Sequence, residues 1–130
     1  MRFARVVFWI AGIWGVLIVT PLFFLKDYVG IQTPPAVTHA EFYYGFAAVA
    51  LAWQIGFLII ATDPARYRPI MIACVLEKVG FGIVEFVLYA QGKLPGSQLP
   101  LAGADLLLAV LMVASYIKLG GVHAEHPRHN

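Results

Sequence analysis

"MIACVLEKVGFGIVEF", residues 71–86, has the apolar density of a membrane-spanning helix, yet Glu77, Lys78 and Glu85 interrupt it. How those charges are reconciled with an apolar setting decides the fold and the place of any polar site. Composition supplies the setting. Of the 130 residues, 61% are hydrophobic and 12% charged, whereas an ordinary soluble domain carries about 25% charged residues. Mean hydropathy is strongly positive. Apolar runs of about 20 residues cross about 30 Å of hydrocarbon at about 1.5 Å per residue. Four such runs occur, at roughly 4–25, 40–61, 69–90 and 101–119.

The predicted fold is therefore all-α: one domain over 1–130, a polytopic bundle of four transmembrane helices whose first partner is the lipid bilayer. Between these spans there is no room for a soluble catalytic domain, so function is expected to be built from helix faces and three short connections. The single cysteine, Cys74, lies in the third span and excludes an intrachain disulfide or a CxxC redox pair. "MRFAR" precedes an apolar stretch longer than a signal-peptide core, and the first span reads as an anchor. Arg2, Arg5, Arg66, Arg68, Lys118 and Arg128 fall on one side, against Lys26 and Lys93 on the other. That bias predicts both termini in the cytoplasm. The net charge of +2 is a topology signal of this kind, and no nucleic-acid partner is expected.

Several polar residues have local duties. Thr38 and Glu41 in "THAE" fit a capping box for the second helix, with a pocket role for His39 and Glu41 as the competing reading. Asp63 is expected to cap a helical start at Pro64, and Pro69 to open the third span. Arg66 and Arg68 read as orientation determinants rather than a phosphate site. "QGKLPGSQLP", residues 91–100, closes the third helix near Gly92 and reopens with Pro100. The connection from Lys26 to Thr38 reads as a linker, with folding over the outer mouth of the bundle as the alternative. His123, His126 and His129 have only Glu125 at ligand spacing; the tail reads as solvated and no metal is expected.

On the second helix, Ala48, Ala52 and Gly56 recur at steps of four, a small-residue stripe that permits close helix packing within the chain or against a second copy. On the third helix, at about 100° per residue, Cys74, Lys78, Gly82, Glu85 and Tyr89 share a stripe and Glu77 lies on the adjacent one. Glu77 and Lys78 come near the midplane, with Glu85 about 10 Å further out. Gln54 lies slightly to the cytoplasmic side of the midplane, and Asp105 near the level of Glu85, where Thr20 and Tyr44 are also candidates. A charge near a helix centre costs about 2.5–3.5 kcal/mol on insertion scales, so these residues must face the bundle. Lys78 is then expected to pair with Glu85 or Asp105. One cation against three acids leaves two acids without a cationic partner, so at least one is expected to hold a proton at neutral pH.

Four spans, internal termini, a Gly/Ala-rich second helix and a charged third helix resemble the layout of the small bacterial DoxX-like membrane proteins. That resemblance implies an inner-membrane protein, sometimes associated with quinone-linked redox systems. With no transmembrane His pair and no cysteine cluster, no cofactor is expected, and a redox role would use a partner's. Three functions compete. The first is a site for a small anionic or amphipathic ligand, bound or transported, formed by Lys78, Glu77, Glu85, Asp105 and Gln54. The second is a non-catalytic accessory subunit of a membrane complex, joined through the Ala48/Ala52/Gly56 face. The third is an intramembrane acid/base enzyme acting on a lipid-like substrate.

Overall fold

The computed structural model describes residues 2–32 and 34–125, with side chains as far as 120. His126, Arg128 and His129 lie outside the described residues, as does the side chain of His123. The described chain is all-helical: α1 is Arg2–Val19, α2 Lys26–Gln32, α3 Ala40–Thr62, α4 Met71–Ala90 and α5 Leu99–Glu125. Single 3₁₀ turns extend α1 through Thr20–Phe23 and precede α4 and α5. By length and composition, three segments are long and apolar enough to cross a membrane: Arg2–Phe23, Ala40–Thr62 and Gly96–Gly120. At 20 residues α4 is long enough, but it carries the three charges of the opening stretch.

Small residues set how closely the helices approach. The buried stripe of α1 runs through Ala4, Phe8, Ala11, Gly12, Gly15 and Val19. A Cβ on Gly15 would overlap the Gln54 amide, and one on Gly12 would press on the Leu58 side chain and the Gln54 carbonyl. Those two glycines admit α3, which answers with Ala47, Ala50, Gln54, Phe57 and Ala61. Phe8 and Phe57 meet edge to face at 6.1 Å. In the same way Gly82 of α4 accommodates Leu106 of α5. The closest approaches are therefore α1 with α3 and α4 with α5; α1 and α5 join the two pairs, while α3 and α4 stand further apart.

The small-residue stripe on α3 is not an internal packing face. Ala48 and Ala52 are exposed, and a Cβ on Gly56 would meet nothing within 4 Å. The stripe is rotated by about a half-turn from the buried face, because the glycines of α1 already provide the close approach and leave α3 free to contribute larger side chains.

Three further expectations change in detail. α3 begins at Ala40 with His39 at its N-cap and no side-chain capping bond. Glu41 is thus one position too early for a capping box with Thr38. It lies 3.6 Å from His39 Nδ1 with both side chains mostly exposed, and neither residue lines the cavity between α3 and α4. The connection after α1 is not a plain linker: it forms α2, and its buried Gly30 packs against the returning chain at Ala36 and Val37. Asp63 caps a turn rather than an α-helix, its Oδ1 accepting from the Arg66 amide at 3.4 Å. Beyond Ala90, Gly92 takes a φ of +73°, and the Lys93 amide donates to the Leu88 carbonyl at 2.9 Å. These bonds close α4 in a Schellman turn.

Candidate functional site

The wider separation of α3 from α4 leaves a cavity of about 320 Å³. Its wall takes residues from all four long helices, from α2 through Val29 and from the 96–98 turn through Gln98. Gln54, Glu77, Lys78, Glu85 and Asp105 all line it. They come together because Lys78 sits on the buried stripe of α4, with Met71, Cys74 and Gly82, while Phe81 and Glu85 follow on the same arc.

Lys78 is only 4% exposed. Its Nζ donates to Asp105 Oδ1 at 3.0 Å, and this pair is the choice the chain makes between the two expected partners. The register that sets it comes from Gly82, whose missing side chain seats Leu106 one residue beyond Asp105. The ammonium also lies 5.3 Å from the centroid of the Phe57 ring, close enough for a cation–π contribution.

The remaining polar groups are not satisfied in this way. Gln54 is 2% exposed, and its Nε2 donates to the Ala50 carbonyl at 2.9 Å. Its Oε1, beside Gly15 on the cavity wall, has no hydrogen-bond partner among the described residues. The same holds for Oε2 of Glu77 and Oε2 of Glu85. All three unpartnered buried atoms are oxygens that accept hydrogen bonds when the carboxyls are ionised. A buried polar atom without a partner costs about 1–3 kcal/mol, more if charged, so the cavity is the place where this chain gains most from a bound molecule.

Sequence reading missed the aromatic part of the wall. Phe46 and Phe81 stack across the α3–α4 gap with centroids 5.9 Å apart and planes 15° from parallel. Trp14 and Tyr43 also face the cavity, the Tyr43 hydroxyl donating to the Leu22 carbonyl at 2.6 Å. Tyr43, Phe46, Ala50 and Gln54 follow one helical face, so projecting that face outward from Gln54 was the available signal. Tyr44 and Thr20, the outer-level candidates, do not line the cavity; Tyr43 takes that place. At the far end of the bundle, Arg68 is more than an orientation signal. Its Nε donates to the Tyr116 carbonyl at 3.0 Å, and its guanidinium lies 3.8 Å from that ring's centroid, in space left by Gly120.

Fold and site together define a helical protein with apolar helices of membrane-spanning length around a partly polar internal cavity. No protein-family model, curated protein or solved structure matches the chain.

Proposed function

We propose that the chain is an inner-membrane protein with four spans, α4 being the fourth, that holds both termini in the cytoplasm and binds a small amphipathic ligand in the cavity between α3 and α4. The observation that carries this reading is that Gln54, Glu77 and Glu85 line one 320 Å³ space and each holds a buried oxygen without a hydrogen-bond partner among the described residues. α4 supports a crossing because its central cation is neutralised by Asp105 and its acids face the cavity, which removes the cost that otherwise bars such a helix from lipid. The excess of basic residues at the end of the bundle with Arg2, Arg5, Arg66, Arg68 and Lys118, against Lys26 and Lys93 at the other, supports the orientation. The layout likeness to DoxX-like proteins agrees with an inner-membrane location.

The test is saturable binding of tert-butylbenzene, a small apolar probe, to the protein in lipid nanodiscs, read by saturation-transfer NMR with empty nanodiscs as control. Ala50→Phe, which fills the cavity, is expected to abolish binding while helicity is retained. Absence of saturable binding to the parent protein by both this probe and its charged isostere phenyltrimethylammonium overturns the reading.

One observation favours a second reading, an accessory subunit of a membrane complex: the Ala48/Ala52/Gly56 stripe faces outward with open space before Gly56. Incomplete pairing of the cavity carboxyls weighs against that role on its own. Tryptophan introduced at Gly56 separates the two, since it blocks close helix docking there without touching the cavity.

A further inference from the structure

We infer that the cavity selects an organic monocation with an apolar body, a protonated amine or a quaternary ammonium; this rests on the ligand-binding reading above. Four features of the wall lead to it. Its only cation, Lys78, is already held by Asp105 at 3.0 Å, so an anionic ligand would have to break a buried ion pair to reach it. Oε2 of Glu77 and Oε2 of Glu85 have no hydrogen-bond partner among the described residues, and the wall carries three carboxyls against one ammonium. Gln54, a deeply buried uncharged residue of the wall, has an acceptor oxygen without a hydrogen-bond partner among the described residues. The rest of the wall includes the Phe46–Phe81 stack, Trp14 and Tyr43, whose ring faces attract a desolvated cation and tolerate an apolar body.

The volume adds a size limit. At interior packing density, 320 Å³ holds about a dozen non-hydrogen atoms. That suits an aryl or branched alkyl ammonium as the portion held inside. In surroundings that are otherwise apolar, a fixed carboxylate attracts a cation far more strongly than it would in water, because screening is weak there. A neutral molecule of the same shape gains nothing from it. Charge, rather than shape, is therefore the expected basis of selection.

Phenyltrimethylammonium and tert-butylbenzene are isosteres that differ by a nitrogen cation in place of a carbon, and benzenesulfonate is an anion of similar size. With the parent protein in nanodiscs, competition against tert-butylbenzene is expected to show the ammonium binding at least tenfold tighter than its neutral isostere, and the sulfonate weaker than both. Glu85→Gln and Glu77→Gln are expected to shrink the cation's advantage and leave tert-butylbenzene unchanged. The comparison of isosteres needs no variant, so a misfolded mutant does not block it. Equal binding of the two isosteres, or preference for the sulfonate, overturns the cation inference while the ligand-binding reading stands. No saturable binding of any of the three overturns both.

Discussion

Replacing Lys78 by Met tests whether a buried ion pair holds α4 to α5. The ammonium and the Asp105 carboxylate are 3.0 Å apart, with side chains 5% and 14% exposed. At an effective dielectric of about 20 their attraction is about 5–6 kcal/mol before desolvation is subtracted. Removing one partner from such a pair typically costs about 3–5 kcal/mol, because the other is left buried and uncompensated. Lys78→Met and Asp105→Asn are each expected to fall in that range. The double variant Lys78→Met/Asp105→Leu is expected to return to within about 1 kcal/mol of the parent, since apolar replacements carry no desolvation penalty. The assay is reversible unfolding in mixed micelles by increasing SDS, followed by far-ultraviolet circular dichroism. Lys26→Met is the control: Lys26 lies 3.5 Å from Asp27, whose side chain is 95% exposed, and such a pair contributes about 0–1 kcal/mol. Single variants within 1 kcal/mol of the parent, or a double variant no more stable than the sum of the singles, refute the assignment of this pair as the link between α4 and α5.

Gly15→Ala is expected to destabilise by about 1–3 kcal/mol through overpacking, since its Cβ would overlap the Gln54 amide; Gln54→Ala added to it restores stability in the same unfolding assay, and an additive double variant counts against the contact. Reporter fusions after Leu119 and within residues 91–98 are expected to report opposite sides of the membrane, the first cytoplasmic; the same side for both contradicts a crossing by α5. Affinity for phenyltrimethylammonium is expected to rise with pH, by at most about tenfold per unit, because a cation that binds an ionised carboxylate releases a proton from the protonated form. The groups concerned are Glu77, Lys78 and Glu85 on α4, Asp105 on α5 and Tyr43 on α3; α1, α2 and the 96–98 turn add no ionisable wall residue. Affinity for tert-butylbenzene stays flat with pH, and a flat response from the ammonium as well argues against exchange with a proton.

Helix positions were readable because the chain must satisfy its backbone within long apolar segments. The run at 40–61 became Ala40–Thr62, and that at 69–90 became Met71–Ala90. The polar wall was readable for a related reason: charges too costly for an apolar environment have few directions left, and those of Glu77, Lys78, Glu85 and Asp105 converge on one space. What stayed hidden depended on register between helices. The choice of Asp105 over Glu85 for Lys78 rests on how Gly82 seats Leu106, a contact across 24 residues of sequence that no helical wheel contains. A single-residue difference in where α3 begins removed Glu41 from the capping box. The outward turn of Ala48, Ala52 and Gly56 was equally invisible, because one helix's glycines can provide a close approach for both partners.

The same contacts account for why this cavity lies between α3 and α4. Gly12 and Gly15 draw α3 onto α1, and Gly82 draws α5 onto α4. Across the remaining side the facing residues are large: Phe46 and Phe81 stack at 5.9 Å and bridge the gap. Closing it would force these rings out of their contact and bring Glu77 and Glu85 against apolar side chains without partners, a cost of several kcal/mol for any ionised group. Opening it further would break the Lys78 contact with the Phe57 ring. The space is held from both directions, so it exists before any ligand arrives, and little binding energy is consumed in forming it. A preformed cavity lined by acidic residues and stacked rings is suited to rank molecules by charge, because the protein does not need to rearrange to favour a cation over its neutral isostere.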